Sequence, residues 1–111
     1  MINTIFKEGT CKEDIGTNKH IQVPNTEKEI DSYAFYDAQS ITSIILPNSI
    51  DSINRCGFLS CVSLVSIIIP KSTVYIGECA FNGCSSLKEI DLPDSIGSII
   101  DFAFGNCTSL N

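Results

Sequence analysis

The stretch CAFNGCSSLKEIDLP, residues 79–93, carries two cysteines five positions apart, and Cys56 and Cys61 repeat that spacing 23 residues upstream. Four thiolates are one ligand set of structural zinc, so Cys56, Cys61, Cys79 and Cys84 raise that chemistry first. Zinc pairs, however, usually hold about two to four intervening residues on a tight turn. Here each pair flanks a phenylalanine, Phe58 or Phe81, which favours packing over metal. A disulfide is the third reading, with Cys61 and Cys84 the pair that stacked rungs would bring into range. Cys11 stands apart from the other cysteines, either as an exposed, reactive thiol or as one packed into an N-terminal cap.

The remaining chemistry is sparse. His20 is the only histidine, and no Walker loop, dinucleotide fingerprint or nucleophile elbow is present. No cofactor and no enzymatic activity are therefore expected. Glu89 and Asp91 place two carboxylates close together, which reads as a solvated face rather than an acid–base pair. Asn106-Cys107-Thr108 matches a glycosylation sequon and matters only with export.

What positions these residues is a repeat. From Ile30 the chain divides into 30–52, 53–75, 76–98 and a shorter 99–111, with a constant period of 23 and no insertion. Phe35, Phe58, Phe81 and Phe104 form one column, and Ile41, Leu64, Leu87 and Leu110 another. Ile44, Ile67 and Ile90 precede Leu46, Ile69 and Leu92, and Pro47, Pro70 and Pro93 follow at once. Ile30, Ile53, Ile76 and Ile99 complete the set, while Ile21, Val23 and Pro24 continue the register upstream. Cys61, Cys84 and Cys107 share a column with Ala38; Cys56 and Cys79 share one with Tyr33 and Phe102. Columns that accept such replacements select for apolar volume, so both cysteine columns are expected to be core rungs beside the phenylalanines.

One unit explains the architecture. In LVSIIIP, Ile67 and Ile69 are two apart and face the same side of a strand, and Pro70 ends it. Ile76 to Phe81 then runs back as a short helical or 3-10 segment whose apolar face is buried only by stacked neighbours. The expected fold class is α/β: a right-handed solenoid with one parallel strand per repeat on a concave face and short helical segments on the convex one. The run L-x-x-I-x-L-P-x-S-I-x-x-I-x-x-x-A-F-x-x-C resembles the BspA-like leucine-rich repeats over about residues 18–111. Gly57 departs from the alanine column and Thr73 from the isoleucine column. The resemblance implies a leucine-rich-repeat solenoid and suggests binding or adhesion.

In such a solenoid, side chains between the core positions of each strand point outward on the concave face. These are His20, Gln22, Ser43, Ile45, Ser66, Ile68, Glu89 and Asp91, flanked by Lys19, Thr42, Val65 and Lys88. Ile45 and Ile68 fall on adjacent strands, with carboxylates beyond them and His20 at the other end. An apolar spot rimmed by polar groups is a common binding surface, although exposed isoleucines also reflect strand preference alone. The expected function is a non-enzymatic protein–protein interaction module using this face. The alternatives are a cell-surface adhesin or glycan-binding fragment and a self-assembling structural solenoid.

Bulk composition bounds the rest. The 111 residues suit one small domain, and a net charge of −6 argues against nucleic acid or an anionic membrane as partner. No apolar run approaches membrane length, and MINTIFKEGTCKEDIG lacks the apolar core of a signal peptide. A cytoplasmic location is expected, with the cell surface or secretion as the alternative. Residues 1–16 are expected to form an N-terminal cap or arm, using Ile2, Ile5 and Phe6, ahead of a solenoid over 17–111 with about four repeats. Leu110 opens a further strand, so the C-terminal end is expected to be uncapped and to offer an edge for a homodimer.

Overall fold

The computed structural model describes residues 19–110. The expected cap over residues 1–16, and Cys11 with it, lies outside the described residues. Each repeat contributes two short strands to two parallel sheets. The first sheet is ordered β1 (His20–Gln22), β3 (Ser43–Ile45), β5 (Ser66–Ile68), β7 (Glu89–Asp91). The second is β2 (Glu29–Ile30), β4 (Ser52–Ile53), β6 (Tyr75–Ile76), β8 (Ser98–Ile99). Register is in step with the repeat: Ile21 pairs with Ile44, Ile44 with Ile67, Ile67 with Ile90, and Ile30, Ile53, Ile76 and Ile99 pair in series.

The core lies between the sheets. Phe35, Phe58 and Phe81 are fully buried and stack on one another and on Phe104, with ring centroids 5.2, 5.0 and 5.4 Å apart and planes within 9° of parallel. Identical side chains in register on rungs of this spacing have little choice but to stack offset, a favourable aromatic arrangement. The cysteine column beside them does more than fill volume. Cys61 Sγ donates to the Phe35 carbonyl at 3.1 Å, Cys84 to Phe58 at 3.2 Å, and Cys107 to Phe81 at 3.1 Å. A small apolar residue carrying a weak donor suits a position facing a buried carbonyl. Serines do the same at the turns: Ser72 reaches the Ile50 carbonyl and Ser95 that of Thr73. Thr73, the departure from the isoleucine column, is fully buried and donates its hydroxyl to Ile50 O at 2.8 Å.

The structure corrects the sequence reading in two places. The helical or 3-10 segments on the return path do not form: among the described residues there is no helix, and the path is a succession of turns. The reason is backbone handedness. Tyr33, Cys56, Cys79 and Phe102 have φ of 61°, 57°, 56° and 61°, and four residues on Asp37, Ser60, Gly83 and Asn106 have 59°, 63°, 80° and 57°. A left-handed residue recurring every fourth position interrupts any right-handed helical run. The N–H groups then alternate. Ala34, Tyr36 and Ala38 donate three residues back, whereas Tyr33, Phe35 and Asp37 donate to the next rung at Arg55, Gly57 and Leu59. A helix would direct every such donor along its own axis; this path shares half of them between rungs. The architecture is a parallel-strand β-solenoid of about three turns, not α/β.

The second correction concerns the column of Cys56 and Cys79, expected in the core. Cys56 is buried, but Cys79 is only half-buried, and Tyr33 and Phe102 are 37% and 70% exposed. Tyr33, Cys79 and Phe102 are thus partly or largely exposed while Cys56 stays buried, and the two residues after each, such as Ala34 and Phe35, pack inward. At the last described rung Phe104 and Cys107 pack against the core as expected but are only partly buried, and Leu92 and Ile99 are exposed.

Candidate functional site

All eight concave-face candidates lie on the first sheet, in two outward columns. His20, Ser43, Ser66 and Glu89 pair in series along one; Gln22 pairs with Ile45 and Ile68 with Asp91 along the other. The strands are three residues long, so only the central residue of each faces the core and its two neighbours face out. His20 Nδ1 and Ser43 Oγ lie 2.7 Å apart, which ties the first two rungs together on the surface.

The apolar centre is well defined. Ile45 is 59% exposed and Ile68 is 69% exposed. They border a shallow depression of about 340 Å³ whose floor and sides also include Ser43, Leu46, Asn48, Ser66 and Pro70. Ile68 also borders two neighbouring hollows, one reaching Glu89 and Asp91 and the other Asn48, Lys71 and Asp91. A side chain seated over Ile68 is therefore flanked by carboxylates on one side and hydroxyl and amide groups on the other. Sequence reading placed the two isoleucines and the carboxylates here but missed Leu46, Asn48 and Pro70. The signal was available: Asn48, Lys71 and Asp94 form the column just after the proline, and it does not repeat.

His20 and the pair Glu89 and Asp91 sit at opposite ends of the sheet, with two strands between them. The thiols that raised zinc separate into two ladders. Cys61 and Cys84 face the core carbonyls, while Cys56 and Cys79 lie on the outer turn. Among the described residues no group of three or more His, Cys, Asp or Glu side chains is arranged to hold a metal.

Comparisons with known proteins agree with this architecture. The family model described as BspA type leucine rich repeat region (6 copies) matches residues 7–111, reaching further upstream than the columns legible from Ile21. A leucine-rich-repeat protein of T. pallidum superimposes with a TM-score of 0.67 at 26% identity, covering 86% of this chain and 58% of that one. One from Bacteroides ovatus gives 0.52 at 30% identity, covering 83% and 30%. A leucine-rich cell surface protein of Faecalibacterium prausnitzii gives 0.52 at 24% identity over 78% and 30%, a likeness of fold alone. This chain thus spans less than two thirds of the length of each. Comparison with curated proteins finds no match. Repeat period, ladder register and family match converge: the chain belongs to the BspA-type leucine-rich repeat family.

Proposed function

We propose that this chain is a non-enzymatic protein-binding module that uses the concave sheet. The observation that carries the reading is the pair Ile45 and Ile68, large apolar side chains left exposed side by side on a rigid ladder and rimmed by polar groups. Such patches, desolvated at the centre and wet at the rim, are where binding energy concentrates. The acidic end at Glu89 and Asp91, with an overall charge of −6, favours a partner segment that sets an apolar side chain over Ile68 and a basic one beside it. Selection of displayed random peptides against the protein, counter-selected on Ile45→Asp/Ile68→Asp, tests this. Enrichment of apolar–basic sequences that the double variant does not bind supports the reading; sequences retained by both overturn it.

The preferred location moves from the cytoplasm to the cell surface, supported by the description of the Faecalibacterium relative in fold as a cell surface protein. Asn106 of the sequon is exposed, as a glycan acceptor must be. Protease treatment of intact source cells separates the two: loss of the protein supports the surface, and full protection returns it to the interior. A homodimer through the rung of β7 and β8 is a second reading, motivated by the exposure of Leu92 and Ile99 there. Light scattering that gives a monomeric mass at high concentration removes it.

A further inference from the structure

On the outer turn, away from the concave face, five side chains form a group that the binding reading leaves unused: Tyr33, Arg55, Cys56, Glu78 and Cys79. Cys56 and Cys79 occupy the same position of successive rungs, with nearly identical φ of 57° and 56°. Cys56 N–H donates to the Glu78 carbonyl at 2.9 Å, which fixes the two rungs against each other at this point. Neighbouring parallel rungs lie about 4.8 Å apart, inside the Cα separation of roughly 4.4–6.8 Å that a disulfide spans. Access differs between the two: Cys56 is 4% exposed, and Cys79 is half-buried and reachable.

We infer that Cys56 and Cys79 form a redox-active dithiol that a small disulfide of the glutathione class converts into a bridge between adjacent rungs. The two thiols already sense each other. Burial, then the neighbouring Cys56 and Glu78, raise the pKa of Cys79, while Arg55 opposes the rise. Arg55 lies beside Tyr33 and Cys56, its Nε 3.6 Å from Glu78 Oε1. Arg55 offsets only part of this rise, so the attack depends on the small thiolate fraction of Cys79 and quickens as pH increases. The interior pair behaves differently. Cys61 and Cys84 are fully buried and their thiols are engaged with carbonyls, so no soluble disulfide reaches them.

The reaction balances in two exchanges. The Cys79 thiolate attacks one sulfur of the small disulfide, forming a mixed disulfide and releasing one small thiol. Cys56 gives up its proton and attacks the Cys79 sulfur, forming the bridge and expelling the second small thiol. The protein pair loses two electrons and two protons; the small disulfide gains them as two thiols. The bridge closes a loop around Phe58 and locks the second rung to the third.

Arg55, Lys71 and Lys88 put Cys56 and Cys79 on different tryptic peptides, so the link is directly readable. The full chain is incubated with glutathione disulfide, alkylated, digested with trypsin and examined by mass spectrometry, alongside Cys79→Ser and Cys84→Ala. The expected result is a joined peptide pair, lacking two hydrogens, in the native protein and in Cys84→Ala but absent from Cys79→Ser, with a higher melting temperature for the bridged protein. A link that survives in Cys79→Ser, a lasting glutathione adduct on Cys79, or an unreacted Cys79 overturns the inference.

Discussion

The concave sheet and the turn-rich return path are built on the same rung spacing but divide the work differently. On the sheet, one residue in three faces the core and the backbone ladder needs nothing special of the others, so the outward columns vary freely: His, Ser, Ser, Glu in one and Gln, Ile, Ile, Asp in the other. On the return path, backbone geometry constrains the sequence. Two residues per turn are left-handed, and their neighbours carry the phenylalanine and small-residue columns. Stability is therefore expected to be concentrated in the core and the return path, and the outward columns of the sheet are left free to vary. Substitutions that break this contrast should sort by location.

The largest effect is expected at Phe58, fully buried and stacked on both sides. Phe58→Ala should destabilise by about 3–5 kcal/mol, read as a lower urea midpoint. Next comes Gly77→Ala, where an added Cβ would sit 2.9 Å from the Arg55 backbone nitrogen, a contact that only a backbone shift relieves. About 1–3 kcal/mol is expected, typical of overpacking. Gly83→Ala sharpens the handedness argument: φ is +80° there, and a cost of about 1–2 kcal/mol is expected, chiefly from the left-handed backbone, with the added Cβ also 3.3 Å from Ser60 Oγ. The smallest effect belongs to the sheet. Ile45→Asp/Ile68→Asp removes two exposed side chains and should move stability by no more than about 0.5 kcal/mol per site. A large loss in that double variant would mean that the concave face is structural after all.

The contrast also explains what could be read from sequence. Phe35, Phe58 and Phe81, Ile44 and Ile67 were legible because burial repeats, and a fixed period makes one rung testify for the next. The eight concave residues followed from strand alternation, since period two assigns the outward face wherever the inward one is known. The return path was not legible, because an apolar spacing such as Ile76 to Phe81 is equally compatible with a helix and with a chain of turns. What decides is positive φ at Tyr33, Cys56, Cys79 and Phe102, and none of those residue types announces it. The outward position of Cys79 was lost for the same reason. The rim at Leu46, Asn48 and Pro70 was missed because it lies past the strand end, beyond the reach of the alternation rule.

The most direct test of the division of labour is a quantitative capture from source-cell lysate with three forms of the protein: native, Ile45→Asp/Ile68→Asp, and Phe102→Ser as a control on the opposite path. Circular dichroism and melting should first show all three folded. A partner retained by the native protein and by Phe102→Ser but lost from the double variant is the predicted result. Equal capture by all three, or loss only with Phe102→Ser, would contradict the assignment of recognition to the concave sheet.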